Sequence, residues 1–444
     1  MNKTKAAGTP AEVPLSAIVR RLPLLLLGLT GLTSAWAQEA PNAGDSALGG
    51  DRELSVPFAF WNRSFGLAAG YVHALNAYPQ PQASVLGSVM AGTKGSALGF
   101  LMGRDIRLFG QPRLFVDPIV SVGYFGNFDA YINGNPSFAG QRAGANDSDK
   151  NNFVTGNGSD NFFRMRFKYV LPIGDGRDQI TPNYQLSDGL LADGGTGGHS
   201  FNPLTSGRTF LELRPFYRSL RISGDQGSAH IATNGVDLIA FWDNRDYPAS
   251  ASRGNSVSLQ VSRDFGALNS SGSWTNVSGE YDHYISLGTT PAFRQRVIAL
   301  DFWTSDSTTW KQNPDGSIDH RPPQYAGSTL GGLFRMRAFP SQRFSDKAAA
   351  YASAELRLIP EWNPFNAWPK LQEHIGVRWI QLVGFAEVGR VAPKWSFAEF
   401  REDMKWDAGV GVRVWAKGLV VRVDSAFAKG SFSVQMMVSQ PFQF

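Results

Sequence analysis

From about residue 55 to the C-terminus, apolar and polar residues alternate with a period of two in segment after segment. In 256–262, Val257, Leu259 and Val261 share one side, and Ser256, Ser258, Gln260 and Ser262 the other. In 163–169, Phe163, Met165, Phe167 and Tyr169 alternate with Arg164, Arg166 and Lys168; in 295–302, Arg296, Ile298, Leu300 and Phe302 alternate with Gln295, Val297, Ala299 and Asp301. Successive side chains of a strand point to opposite faces, so each segment predicts a strand. Strands are expected near 235–243, 255–265, 273–287, 293–303, 348–359, 376–390, 405–416, 419–429 and 431–444. At ~9–11 residues per membrane-spanning strand, the chain accommodates about 16, so about seven more fall within 55–222. Registers there are left open by 171–206, a stretch rich in glycine and aspartate without a period.

Three features separate a membrane barrel from a soluble sandwich, which also alternates. The second face of many strands is charged, as in Arg164, Arg166, Lys168, Glu212, Arg214 and Arg218, which suits a wet interior. Trp242, Trp303, Trp379 and Trp415 stand near strand ends, where interfacial girdles lie. Tight turns such as Ala416-Lys417-Gly418 alternate with long polar loops such as 129–160, 305–347 and 360–374. The fold class expected is all-β: one transmembrane antiparallel β-barrel, with short turns at one end and long loops at the other.

Composition narrows the classes further. A chain of 444 residues with 48 glycines, 12 tryptophans and only 18% charged residues is too apolar for disorder, and its glycines have no period of three. The absence of cysteine excludes a disulfide framework, a thiolate metal site and a cysteine nucleophile. Residues 1–37 read as a secretory signal, with Arg20 and Arg21 before the apolar run Leu22 to Leu32 and Ala35-Trp36-Ala37 at the cleavage site. Without them the chain keeps 38 basic and 36 acidic residues, so the pI of about 9.3 does not mark a nucleic-acid partner. No later stretch of 18 apolar residues occurs, which excludes helical spans. The expected organisation is a signal peptide (1–37), a short periplasmic segment (38–57) and an outer-membrane barrel (58–444).

The second half carries several segments with a family likeness. Trp242-Asp243-Asn244-Arg245-Asp246-Tyr247-Pro248, followed by Gly254, is similar to a periplasmic turn. Gly331-Gly332-Leu333-Phe334-Arg335-Met336-Arg337-Ala338-Phe339 is similar to an inward-folded loop motif. Ala354-Glu355-Leu356-Arg357 and Phe385-Ala386-Glu387-Val388-Gly389 are similar to the strands that follow that loop, and Gly409 to Phe444 to closing strands. Together these resemble the BamA/TamA superfamily of outer-membrane assembly barrels, the bacterial surface antigen family, over roughly 235–444. Ala338 stands where the family has glycine, which implies a different turn at that point, since alanine disfavours positive φ. Glu387 stands where it usually has aspartate.

The resemblance implies that Arg337 locks the long loop inside the barrel. Strand parity agrees: if Glu355 and Glu387 point inward, their neighbours Ala354, Leu356, Ala386 and Val388 point to lipid. A guanidinium bridges two carboxylates with forked bonds that lysine does not reproduce. In a wet lumen, screening would limit the loss on Arg337→Ala to about 1–2 kcal/mol. Phe442 and Phe444 look like the sorting signal by which barrel-assembly machinery recognises a client.

No catalytic site is expected. The six histidines are scattered singly, Gly-x-Ser-x-Gly and His-Glu-x-x-His are absent, and His283, the nearest candidate for a barrel lipase, shares a face with Val277, Tyr281 and Ile285. The oxygen-rich stretch Asp147 to Asp160 lacks the fixed glycine and terminal glutamate of a calcium loop and reads as a solvated loop. No cofactor or metal is expected. The expected partners are outer-membrane lipids, the barrel-assembly machinery during biogenesis, and a periplasmic receptor in trans, because the chain reads as lacking the POTRA receptor domains of larger relatives. The resemblance implies insertion or translocation of proteins or lipids through a lateral gate between first and last strands. A passive pore or structural surface barrel is the alternative, and a barrel-embedded lipase the more remote one.

Overall fold

The computed structural model describes residues 53–225, 227–416 and 419–438. The signal at 1–37, most of 38–57, Lys417-Gly418, Phe442 and Phe444 lie outside these residues. Sixteen long strands follow one another: β1 (Glu53–Asn62), β2 (Gly66–Asn76), β3 (Ser84–Gly92), β4 (Ala97–Arg104), β5 (Leu114–Ala130), β6 (Val154–Val170), β7 (Arg208–Gly224) and β8 (Gly227–Asp243) in the first half. In the second half come β9 (Gly254–Asp264), β10 (Trp274–Ser286), β11 (Phe293–Asp306), β12 (Ala348–Pro360), β13 (Val377–Ala392), β14 (Lys405–Ala416), β15 (Leu419–Ala428) and β16 (Ser431–Val438). Each pairs antiparallel with the next in one sheet, which the two-residue strand Ile106–Arg107 also joins, on β5. β1 and β16 are the end strands of that sheet. The first described strand, β1, starts at Glu53.

The long loop between β11 and β12 shows how the sheet curls. Its Tyr325 belongs to a buried cluster with Phe60 of β1, Phe125 and Phe128 of β5, and Leu220 and Ile222 of β7. Farther along, the carbonyl oxygen of Arg337 accepts a bond from Gln435 Nε2 of β16 at 2.8 Å. One loop therefore reaches the inner faces of both end strands, which a flat sheet does not allow.

Alternation sorts the two faces as the sequence predicts. Leu211, Leu213, Leu238, Leu259, Val261, Phe302, Leu356, Val410 and Val412 lie exposed on the outside, whereas Arg164, Arg166, Glu212, Arg214 and Arg218 are buried within. The interior is not wet at these charges. Arg218 pairs with Asp160 at 2.6 Å, Arg214 with Asp237 at 3.2 Å, Arg166 with Glu212 at 3.3 Å, and Lys168 with Asp105 and Asp117 at 2.5 and 2.7 Å. Burial disfavours an isolated charge, and cross-strand partners compensate here.

Two expectations are corrected. Trp303, Trp379 and Trp415 do not form an outer girdle: they face inward at 7%, 1% and 2% exposure, and Trp242 is covered by Ser206 and Phe201. Trp61, Trp362, Trp368, Trp395 and Trp406 are exposed instead. A single sequence does not separate an indole packed under a loop from one facing lipid when both occupy a strand end. Nor are long connections confined to one end. The inward loop leaves the same end as the tight turns 62–66, 224–227 and 428–431, while 170–208 and 360–377 share the opposite end with 416–419.

The connection 170–208 forms a floor across that opposite end. Its hairpin, Gln185–Ser187 with Leu190–Asp193, brings Leu186 and Leu190 onto Ile359, Trp379, Trp415 and Val420. Trp379 Nε1 donates to the carbonyl oxygen of Gly189 at 2.9 Å. The segment that leaves β6 therefore packs under β12 to β15, far along the sheet from its own strands.

Candidate functional site

Arg337 lies on the inward loop, and the strands around it each supply an inward-facing polar position. Its NH1 donates to Glu355 Oε1 of β12 at 2.8 Å and to Asp424 Oδ2 of β15 at 2.9 Å. Its Nε donates to Glu387 Oε1 of β13 at 3.1 Å, and its backbone N–H to Glu387 Oε2 at 2.6 Å. The guanidinium carbon stands 3.5 Å from the centre of the Phe385 ring. Both ends of that contact are dry: Arg337 is 1% exposed, and the side chains of Glu355 and Glu387 are 0% exposed.

A second ring of charge surrounds the first. Arg413 NH2 of β14 binds both oxygens of Glu355 at 2.9 and 2.8 Å, and Arg357 Nε reaches Glu355 Oε2 at 2.8 Å. Arg422 NH2 donates to the carbonyl oxygen of Leu333 at 2.6 Å, and Ala338 N–H donates to Asp407 Oδ2 at 3.1 Å. Arg337, Arg357, Arg413 and Arg422 thus face Glu355, Glu387 and Asp424, while Asp407 meets the loop backbone. Fully buried pairs survive only where such compensation is near complete. The dryness replaces the wet-lumen figure for Arg337: about 3–5 kcal/mol is the cost of breaking a buried pair.

Of the expected lock residues, the structure therefore brings Arg337, Glu355 and Glu387 together. It adds Asp407, Asp424, Arg357, Arg413, Arg422 and Tyr351, whose hydroxyl donates to Glu387 Oε1. Period two held a signal for the strand members of this group, because they are polar residues at inward positions of strands whose outer face is apolar.

The loop motif shapes the approach. Gly331 and Gly332 have φ of +105° and +115°, and a Cβ on Gly331 would stand 2.3 Å from the carbonyl oxygen of Pro340. The left-handed residue that follows is Met336, at φ +59°, while Ala338 keeps negative φ; the turn falls two residues before the position where the family glycine was expected. Met336 is fully buried with Leu330, Trp303, Phe344 and Tyr351, a packing that compensates its strain. Phe339 packs edge-on against Phe344 at 5.1 Å. Arg335 holds the loop to β10 by a forked pair with Glu280 at 2.9 and 2.8 Å, above the Trp303 ring.

The solvated loop expected around Asp147 also packs against this one. Arg343 NH1 donates to Ser148 Oγ at 2.9 Å, Arg142 pairs with Asp346, and Ser345 N–H donates to the carbonyl oxygen of Gly144 at 2.7 Å. Asp160 lies in β6, on Arg218.

At the opposite end, Arg245 forks onto Asp243 at 2.7 and 2.9 Å, and Asp246 accepts the N–H groups of Tyr247, Ser252 and Arg253. Pro248 opens a single turn of 3₁₀ helix. Gly254, at φ +97°, passes Asn244 so closely that a Cβ would lie 2.1 Å from its carbonyl oxygen. His283 is on the outer face, 3.2 Å from the Tyr281 hydroxyl.

No family model matches the sequence, and no curated protein matches it either. Solved structures do. CdiB from Escherichia coli is 10% identical, with a TM-score of 0.50 over 87% of this chain and 61% of that one. CdiB from Acinetobacter baumannii is 11% identical (TM-score 0.46; 87% and 59%). BamA from Haemophilus ducreyi lacking POTRA domains 1–3 is 12% identical (TM-score 0.45; 88% and 70%). The chain spans about three fifths of the two CdiB chains. At these identities the likeness is one of fold, and the match to Escherichia coli CdiB carries it. The fold is thus that of the CdiB barrel, and its apolar outer face suits a barrel set in the outer membrane.

Proposed function

We propose that this barrel inserts or translocates proteins or lipids at the outer membrane, with the inward loop as its moving part and the edge between β1 and β16 as its lateral gate. The observation that supports this most is the clamp on Arg337. A loop that only filled a pore would need apolar packing, yet this one ends in a compensated charge cluster drawn from four strands next to β16 and touching β16 itself. Networks of this kind have few satisfied arrangements, so they favour switching between discrete states over gradual drift. The end carrying the Arg245 turn is then periplasmic, a receptor protein acts there in trans, and Phe442 and Phe444 serve as the signal read by the assembly machinery.

A passive pore is the competing reading. The loop crossing the lumen and the floor at 170–208 weigh against it, because both ends of the interior are occupied. Chemistry has no part in this proposal: His283 sits with Tyr281 on the lipid-facing side.

The test uses proteoliposomes containing the refolded barrel and an unfolded small outer-membrane protein as client. Acceleration of client folding is expected, and a cysteine pair joining β1 to β16 is expected to abolish it under oxidising but not reducing conditions. The chain has no cysteine of its own, so the tether is unambiguous. Client folding no faster than in empty liposomes would end the insertion reading, and full activity in the tethered barrel would end the gate.

A further inference from the structure

The inner face of β10 and β11 holds a second group of charges that the loop clamp does not use. Glu280 and Asp282 stand two apart on β10, both inward, and Asp301 lies directly opposite Asp282 in the β10–β11 ladder. One carboxylate oxygen of each lies within 4.8 Å of one from each of the others. Like charges directly opposite in a sheet repel, and burial removes the water that would screen them. Asp301 is 0% exposed and Asp282 is 2% exposed.

The bonds available do not resolve this repulsion. Arg335 forks onto Glu280, and Ser256 Oγ donates to Asp282 Oδ2 at 2.6 Å. No donor among the described residues reaches Asp282 Oδ1 or either oxygen of Asp301. Asp301 is thus a buried carboxylate with both oxygens unpartnered, aimed at two further carboxylates.

We propose that Glu280, Asp282 and Asp301 bind a hard divalent cation of the Ca²⁺ class inside the barrel. Three carboxylates offer the oxygen-only donor set such an ion prefers, without the imidazole or thiolate that softer metals select. Calcium takes six to eight oxygens, so water completes the shell. A cavity of about 200 Å³, lined largely by polar residues, has Glu280 on its wall and so touches one of the three carboxylates from the lumen side. The ion would neutralise the Asp282–Asp301 pair across the ladder and leave Glu280 able to hold Arg335, which ties the ion to the inward loop.

Trp303 makes the proposal measurable, since it pairs with Glu280 in the ladder and lies under Arg335. The full chain, refolded in detergent and stripped with EDTA, is titrated with Tb³⁺ under tryptophan excitation. Sensitised emission saturating at one ion per barrel and displaced by Ca²⁺ is expected. Asp301→Asn and Asp282→Asn, each checked for heat-modifiable folding, are expected to weaken apparent affinity at least tenfold. Trp303→Phe is expected to lose most of the emission while Ca²⁺ still raises the thermal transition. The proposal is overturned if the wild type shows no Ca²⁺-displaceable emission and no Ca²⁺-dependent transition. It is equally overturned if either folded Asn variant binds Tb³⁺ like the wild type. A folded Asp301→Asn more stable than an ion-free wild type that ignores Ca²⁺ would identify a carboxylic pair sharing a proton instead.

Discussion

Glu387 holds Arg337 twice, by the backbone N–H at 2.6 Å from Oε2 and by Nε at 3.1 Å from Oε1. The first bond positions the loop backbone whatever side chain residue 337 carries, and the second depends on the guanidinium. The glutamate therefore acts on both the path of the loop and its charge, whereas Glu355 and Asp424 meet the charge alone.

This division predicts an asymmetric double-mutant cycle. Arg337→Ala is expected to cost about 3–5 kcal/mol, because it strands buried carboxylates. Arg337→Lys should recover part of that, since an ammonium does not fork between Glu355, Asp424 and Glu387. Paired with Glu387→Gln, the effects should fall short of additivity by about 0.5–3 kcal/mol, the range for residues in contact. Urea unfolding in detergent and protease access to the loop measure this; strict additivity would separate the two residues energetically.

The floor predicts a change in conductance. Replacing residues 183–195 with a short flexible linker removes the hairpin that packs on Trp379 and Trp415. In planar bilayers the variant is expected to show larger and more frequent openings than the wild type. Identical traces would mean that the inward loop alone closes the lumen.

Gly254 predicts a local cost that can be isolated. Gly254→Ala combines a left-handed φ with a Cβ 2.1 Å from the Asn244 carbonyl oxygen, whereas Gly288→Ala has a comparable φ, +68°, in open space. Each carries about 1–3 kcal/mol of backbone strain, and only the first adds the collision. Urea midpoints of the two variants should therefore differ clearly, and equal midpoints would show that the turn relaxes freely.

The fold itself predicts a strand-rich circular dichroism spectrum in detergent, and a band in outer-membrane fractions that shifts on heating. A helix-dominated spectrum would contradict the sixteen-strand sheet.

Much of this architecture was legible because lipid imposes a simple rule on each strand. Val257, Leu259 and Val261 announced β9, and Glu355 and Glu387 announced their own inward orientation, since the outer neighbours of both had to be apolar. Long-range companions were harder to see. Asp407 and Asp424 are inward by the same rule, yet nothing in one sequence says that a loop residue some 70 to 90 positions earlier meets them. The floor at 170–208 was invisible for a related reason: its hairpin is too short for a period, and its contacts with Trp379 and Trp415 are fixed by the closure of the sheet.

The unequal lengths of the strands bear on the surrounding bilayer. β5, β6, β7 and β8 have 17 residues each, while β3 and β4 have 9 and 8. At ~3.3 Å per residue and a tilt of ~40°, the short strands rise about 20 Å and the long ones about 43 Å, against an apolar belt of ~25 Å. Lipid acyl chains beside β3 and β4 have less protein height to match than those on the tall side, and each ångström of mismatch costs a fraction of a kcal/mol. On this geometry the barrel is expected to sit as a wedge in its membrane, with thinner lipid on the flank that leads round to β1.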